Sequence, residues 1–600
     1  MSLNYNPDQP SLINTKWETI FLSERDVAGQ IPINYITSSG VSVTAACFGN
    51  NVFETQSAEK CISNLLSVGY RRFLVDLYWS VGLRAWTFCP VAIPKNVPVV
   101  TVSTTPTMIP TATASAAQST ATLVSSSSGW PVYELGPYLC SENLELSGLI
   151  DVFQDYFKDT TSQLNVYIRY LTFNLHVAAS AAAPEQPASK VSGDGLPSFA
   201  ERVDVLMDNR LFHYIYTPSQ LANERSNLNE SWYEVDDGYK PITEYFTTYE
   251  LSDGTQSTPD GWPASKYVQL AKERRLFLEY GSVDPQLEDY KLAAGKSEVI
   301  FPPRYLASLV LAPSADEGGL GYGCLYDSDA FQVSQVNSSW ALSSSLSPPQ
   351  GLNETYALRE LSDRVVNLTA CGLTPIVNDT LFNKTADQAV EPYKNISLSS
   401  TWAWAEGEPQ GADVGDNIDS PQHDRCAILD VSLGGHWRVA NCTDVRRVAC
   451  RVANLPYTWT ISSTAHSYTK AYTDACPDNT TMGVPRTSLE NTYLYRYLLT
   501  QPSNIIDPTS PDPAKREIWL DFNSRDITSC WVTGGPNAKC PYAADPKQLE
   551  KKTVLVSAIA GIVICIITAL TLFVKCNTNR RNSRRGKRKI QGWEYEGVPS

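Results

Sequence analysis

Few side chains in this chain have the types and settings that chemistry needs. There are five histidines in 600 residues, and the first is His176. His176 and His213 both lie in apolar, strand-like runs, where a histidine is more often packed than reactive. Asp76 sits in the run RRFLVDLYW. An acid there can bind a metal or move a proton, or it can simply hydrogen-bond at a strand end. It is the one weak catalytic candidate. No CxxC pair or HExxH suggests a metal site, and no metal or cofactor is expected. Covalent chemistry is better represented. The sequon N-x-S/T occurs at Asn229, Asn337, Asn353, Asn367, Asn378, Asn383, Asn395, Asn441 and Asn479. Seven of these fall between 337 and 441, as on a glycosylated surface of the secretory pathway.

Fourteen cysteines fit the same compartment. Cys565 falls in an apolar run and Cys576 in a basic tail, which leaves twelve, an even number suited to disulfides. The apolar run is TVLVSAIAGIVICIITALTLFV, residues 553–574, without a charge. At about 1.5 Å rise per residue it is long enough to span a bilayer. Eight Lys/Arg and two acids follow it, so the tail 575–600 carries 8 − 2 = +6, and residues 1–574 carry −15 − 6 = −21. The basic cluster predicts a single-pass type I orientation, with the C-terminus cytosolic and residues 1–552 lumenal or extracellular. The opening MSLNYNPDQPSLINTKW has no basic or apolar signal-peptide segment. Either the span itself directs insertion or the start lies downstream of the true one, and the second is favoured. The acidic balance argues against direct nucleic-acid binding.

Upstream of the span, strand-like and helix-like patterns alternate. IPINYITSSGVSV reads as a strand and turn, ISNLLSVGY as helix, RRFLVDLYW as a buried strand. LSGLIDVFQDYF then NVYIRYLTFNLHV repeat the unit, as does GWPASKYVQLAKERRLFLEYG. Repeated β/α units predict an α/β fold with a parallel sheet, open or closed into a barrel, over residues 1–310. An insert at 99–130 interrupts it. Its residues 101–128 hold fifteen Ser/Thr and no charge, which predicts a disordered, O-glycosylated loop, with Cys89 and Cys140 placed to close its base. Residues 320–455 are richer in Ser, Asn, Trp and Cys and read as a second domain. Residues 456–552 read as a stalk or extension of it.

The order of IPINYITSSG, LLSVGYRRFLVDLYW and GWPASKYVQLAKERRLFLEYG resembles the TIM-barrel phosphodiesterases of the phosphatidylinositol phospholipase C type. That resemblance implies two catalytic histidines at barrel-strand ends. Here the first position matches about Tyr35, and the second region, YWSVGLRAWTF, has no histidine. Asp76 could match a metal-binding acid, and His176 and His213 would be core or barrel-lining. The resemblance therefore implies a barrel without catalysis.

TWAWAEGEPQ, with HDRCAILD and GGHWRVANCTDVRRVACRV, is similar to the C-terminal half of a C-type lectin-like domain, an α+β fold. That likeness implies the pairs Cys426–Cys442 and Cys371–Cys450. Of its calcium ligands, Glu408 survives, Gln410 replaces the usual Asn, and Asp424 could stand in for the acid before the Cys. Arg438-Val439 occupies the place of two oxygen ligands, so the calcium site is expected to be lost. Trp402, Trp404 and Trp437 are expected in the core.

Taken together these stretches, the Ser/Thr insert and the single span resemble the fungal family called maintenance of telomere capping protein 6. The resemblance implies a single-pass type I membrane protein with a part in telomere capping. Three functions compete: a binding or scaffold protein with a protein or glycan ligand, a phosphodiesterase acting on lipid or GPI head groups at the membrane, and a cell-wall stress sensor. The orientation is directly testable. In tagged protein, endoglycosidase is expected to increase gel mobility, and protease outside sealed vesicles to remove only the tail 575–600. An unglycosylated N-terminal portion open to cytosolic protease would contradict it.

Overall fold

The run RRFLVDLYW forms the strand Arg72–Ser80, and its alternation decides how the barrel is built. Phe73, Val75, Leu77 and Trp79 are buried in the core shared with the covering helices. Leu74, Asp76 and Tyr78 are only half-buried on the other face. The next strand, Arg169–Val177, runs parallel beside it, with Asp76 opposite Asn174 and Tyr78 opposite His176. One face of the sheet therefore carries apolar side chains into helices, and the other carries polar ones into the barrel interior.

In this computed structural model the described residues are 3–94, 122–125, 131–290, 298–309, 324–410, 425–453, 455–542, 564 and 566–575. Seven parallel strands make the first sheet, in the spatial order Leu276–Val283, Arg169–Val177, Arg72–Ser80, Gly40–Ser42, Thr374–Val377, Ala341–Leu346, Ser308–Leu309. An eighth, Ala85–Thr87, pairs antiparallel on Arg72–Ser80. The first strand in the chain lies between the second and the last. That is the order of a barrel opened at one seam, between Leu276–Val283 and Ser308–Leu309. The seam is partly closed by an isolated bridge between Glu279 and Phe301. The Glu279 carboxylate, 1% exposed, accepts the Leu306 N–H at 2.7 Å.

The covering helices follow their sequence patterns. Thr55–Ser67 buries Ala58, Cys61, Ile62, Leu65 and Leu66, the i, i+3, i+4, i+7 stripe of a helix facing a sheet. Leu146–Asp159 does the same with Leu149, Ile150, Phe153 and Phe157. The helix Thr15–Val27 is capped by Asn14, whose side chain accepts the Trp17 N–H at 3.1 Å.

The parallel sheet passes the expected boundary at 310. Ala341–Leu346, the helix Glu354–Ala370, Thr374–Val377 and the helix Val390–Ser399 all belong to it, so a domain does not begin at 320. The second sheet is assembled from residues 426–523, in the order His436–Ala440, Cys426–Asp430, Glu517–Asn523, Arg447–Val452, Trp459–Ile461, with Thr480–Met482 also on Arg447–Val452. Nor is 456–552 a stalk. All seven residues of Glu517–Asn523 are buried in the middle of this sheet. The helix Ser488–Leu499 sends Leu494 and Leu498 into the core that holds Trp404 and Trp437. Trp402 packs on that core partly buried, edge-on to Trp437.

Residues 1–540 form one unit and residues 541–600 another. Among the described residues no helix is long and apolar enough to cross a membrane. Of the expected span 553–574, Ile564 and residues 566–574 are described, as helix, and the rest lies outside the described residues. The tail from 576 lies outside them as well. So does the insert 99–130, except that Thr122–Ser125 is a strand, paired antiparallel with Pro131–Leu135, where the composition predicts a loop without structure.

Six disulfides join all twelve cysteines of residues 1–552: Cys47–Cys61, Cys89–Cys140, Cys324–Cys371, Cys426–Cys442, Cys450–Cys476 and Cys530–Cys540. The implied Cys371–Cys450 pair is not formed. Cys371 ends a helix of the first sheet and Cys450 lies in a strand of the second, and each finds a nearer partner.

Glu279→Ala removes the only side-chain acceptor bonded to the buried Leu306 N–H at the seam. A loss of about 1–3 kcal/mol of stability is expected, read as a lower Tm by calorimetry.

Candidate functional site

The C-terminal ends of barrel strands are where a fold of this kind places its chemistry. Here that end gathers Asp76, Asn174, His176, Thr44 and Asp284. Thr44 comes from the helix Val43–Phe48, which starts directly after the first strand with Ser42 as its cap. Its hydroxyl donates to Asp76 Oδ2 at 2.6 Å. Asn174 Nδ2 donates to Asp76 Oδ1 at 2.8 Å. His176 lies between two acids, with Nε2 3.6 Å from Asp76 Oδ1 and Nδ1 3.0 Å from Asp284 Oδ1. Its ring stacks on Tyr78, centroids 4.9 Å apart.

Asn174 is itself fixed on its other side. Its Oδ1 accepts the Ser282 N–H at 2.9 Å and the Ser282 hydroxyl at 3.0 Å. A Cβ at Gly281 would stand 2.2 Å from that oxygen, so the close approach needs a glycine.

The electrostatics follow from this arrangement. Burial alone raises the Asp76 pKa, but His176, Thr44 and Asn174 outweigh it and hold the carboxyl below its ordinary value. Burial alone lowers the His176 pKa, but Asp76 and Asp284 outweigh it and the imidazole is raised. The cluster therefore favours the protonated imidazole, which lies between two acids. Both ring nitrogens face acids, which leaves neither available as a proton acceptor while the ion pairs hold. Among the described residues no group of three or more His, Cys, Asp or Glu is arranged to hold a metal ion.

Of the residues singled out in the sequence, Asp76 and His176 are brought together. His213 is exposed, against Phe212, and is neither core nor barrel lining. Tyr35 is not at the mouth. It ends the turn Ile33–Tyr35, before the first strand, and its hydroxyl donates to the Tyr245 carbonyl at 3.1 Å. Burial pushes its pKa up to about 12. The first polar side chain past the first strand is Thr44, because the strand is Gly40–Ser42 and not IPINY. Thr44, Asn174 and Asp284 are missed by sequence reasoning. Asn174 is two residues before His176 on the same strand face, and that period-2 signal could have found it.

The stretch WAWAEGEPQ builds the second sheet's edge. Trp404 and Trp437 pack edge-on at 5.9 Å. The Glu408–Pro409 peptide is cis. Glu408 is buried, and its Oε2 accepts the Gln410 and Val439 N–H groups at 3.0 and 3.2 Å. Arg438 reaches three acids: Asp430 at 3.1 Å, Glu517 at 3.4 Å and Glu408 at 3.8 Å. Its guanidinium thus compensates the carboxylates that a cation would otherwise neutralise. Asp424 lies outside the described residues.

The sequon asparagines can also be placed. Eight are exposed and Asn441 is half-buried, whereas the four buried asparagines, Asn34, Asn64, Asn491 and Asn523, are outside any sequon.

Comparison with known proteins gives a family. A family model described as the MTC6 partial TIM-barrel domain matches residues 13–400, which ends where the first sheet's last helix ends. Among curated proteins, "Maintenance of telomere capping protein 6" of Candida albicans (strain WO-1) is 23% identical over 632 residues, covering 98% of this chain and 95% of that protein. The protein of the same name from Lachancea thermotolerans is 23% identical over 591 residues, covering 96% and 93%. No solved structure matches. The family match takes in well over half of the chain and coincides with the open barrel, so the protein belongs to the MTC6 partial TIM-barrel family.

Proposed function

We propose that the protein is a single-pass type I membrane glycoprotein whose lumenal part is a non-catalytic binding scaffold for a protein or glycan. Its part in telomere capping, the role named for its relatives, is indirect on this reading. The observation that carries the non-catalytic part is the mutual engagement of Asp76, His176 and Asp284. A general base needs a free lone pair near neutral pH. Asp76 spends its oxygens on Thr44, Asn174 and His176, and both ring nitrogens of His176 face acids.

Other features support the setting. Six disulfides suit an oxidising compartment, and surface placement of all nine sequon asparagines suits N-glycosylation. The apolar run 553–574 with its basic tail supports the span. The Cys426–Cys442 bond and the tryptophan core support a lectin-like origin for the second sheet. Its ligand contacts, on this reading, do not run through calcium. A net charge of −15 opposes direct contact with nucleic acid.

One observation favours a second reading, a phosphodiesterase acting on lipid or GPI head groups. Asp76 and His176 stand at the barrel end where active sites sit, and a substrate could displace Asp284 from the imidazole. The two readings separate in an assay of the purified full-length protein on phosphatidylinositol and GPI substrates. No turnover is expected. Turnover that disappears in Asp76→Asn would establish the enzyme instead.

The clamp also makes a pH prediction. A histidine with a raised folded pKa stabilises fully below its unfolded value, near 6.5, and loses that contribution as pH rises through the folded value. The Tm gap between the wild type and His176→Gln should therefore be widest near pH 6 and narrow towards pH 9. A gap that widens with pH would show His176 to be neutral.

A further inference from the structure

A second recess lies at the opposite end of the partial barrel, where the strands begin. It is a cavity of about 60 Å³ lined by Arg71, Gln269, Ser38, Thr401, Ser488 and Glu24, among others. That is room for a few waters or one small oxyanion. Arg71 immediately precedes the strand Arg72–Ser80, and Ser38 lies just before Gly40–Ser42. The helix Thr15–Val27 closes one side through Glu24, and the turn before Ser488–Leu499 closes another.

Two polar side chains in this recess make no hydrogen bond with another described residue. The Arg71 guanidinium forms no hydrogen bond or ion pair with any described residue, and it lies over the Tyr167 ring with its carbon 4.5 Å from the centroid. Burial lowers its pKa, and Tyr167 and Glu24 offset that only in part. Gln269 is only 5% exposed, and its amide makes no hydrogen bond with any described residue either. The other cations lining the recess are engaged elsewhere. Arg25 bonds Asp26 and the Gln163 and Val166 carbonyls, and Arg486 bonds Glu490. The one carboxylate on the wall, Glu24, is occupied by backbone. Its Oε1 accepts the Trp402 N–H at 2.7 Å and the Ala403 N–H at 2.9 Å. Burial raises its pKa to about 7, so it opposes an incoming anion only in part.

Arg71 is half-buried, and a guanidinium with no carboxylate in contact keeps its planar fork available, which matches an oxyanion in two-point contact. The unbonded Gln269 amide and the Ser38 hydroxyl, which has no hydrogen bond with a described residue, supply further donors on the same wall. We propose that this recess binds a small phosphate group, either inorganic phosphate or the end of a phosphomonoester, with Arg71 as the anchor and Gln269 as a second donor. This site is separate from the Asp76 cluster, and its occupancy does not depend on whether that cluster is catalytic.

The test uses the full-length protein in detergent and phosphate-free buffer. Inorganic phosphate and glycerol 3-phosphate are titrated separately by calorimetry and thermal melting, against sodium chloride at equal ionic strength. At least one of the two should bind and raise Tm. Arg71→Met should weaken that binding tenfold or more, and Gln269→Leu by a smaller factor. Binding of both ligands assigns free phosphate, and binding of glycerol 3-phosphate alone assigns an organic phosphomonoester. Without ligand, Arg71→Met should melt close to wild type, because it removes no hydrogen bond or ion pair with a described residue. The proposal is overturned if neither ligand exceeds the chloride control, if Arg71→Met binds as wild type does, or if that variant is markedly less stable without ligand.

Discussion

Three residues, Gly40–Ser42, hold the partial barrel together. Their backbone bonds on one side to Thr374–Val377, some 330 residues later, and on the other to Arg72–Ser80. Among the described residues no other strand pairs with both the beginning of the sheet and its end. The approach is close: a Cβ on Gly40 would stand 2.3 Å from Ile376 Cδ1 and 3.3 Å from Arg72 Cβ. Both polar sites hang from this strand. Leaving it, the chain turns at once into a helix and puts Thr44 on Asp76. Entering it, the chain lays Ser38 and Ser39 along the Arg71 recess. A parallel sheet makes this possible, because all its strands start at one end and finish at the other.

The two ends therefore have opposite electrostatic characters. At the finishing end, cation and anions have found each other within the protein, and the donors of Thr44 and Asn174 complete the set. At the starting end a guanidinium and an amide have no such company. The helix Thr15–Val27 connects this second end to the other sheet, since Glu24 receives the Trp402 and Ala403 amides and Ser23 accepts from the Trp404 indole at 2.9 Å. The tryptophan-rich stretch thus serves as a joint: its backbone is fastened to the barrel's first helix while its rings enter the second sheet's core.

How far the sequence reveals this depends on how local the cause is. RRFLVDLYW and NVYIRYLTFNLHV are legible as strands because each is a long apolar run, and the helices because each shows a 3.6-residue stripe. IPINYITSSG misleads, because its apolar residues pack in a turn and the strand beyond it has only three residues. The barrel's extent is hidden by ALSSSL, a strand half made of serine, and by the cysteines and tryptophans around it, which suggest a new domain. EIWLDFN has a strand's composition but lies amid Pro and Asp, and nothing local reports that it belongs at the centre of a sheet. Asp76 is visible as an acid in an apolar run. Its partners, 32 and 98 residues away, are set by register, which no single sequence displays. The Cys371–Cys450 pairing fails for the same reason, since the two cysteines belong to different sheets.

The central position of Glu517–Asn523 has a consequence for how the molecule comes into being. It separates Cys426–Asp430 from Arg447–Val452, pairing antiparallel with one and parallel with the other. A ribosome delivers both of those strands, and their hairpin partners, well before it delivers the piece that belongs between them. Until then each exposes an unsatisfied edge, open to mispairing with the other or with a neighbouring nascent chain. The second sheet is therefore completed only when the last buried segment is translated, and a polypeptide truncated before residue 517 would leave a split sheet for quality control to hold or discard.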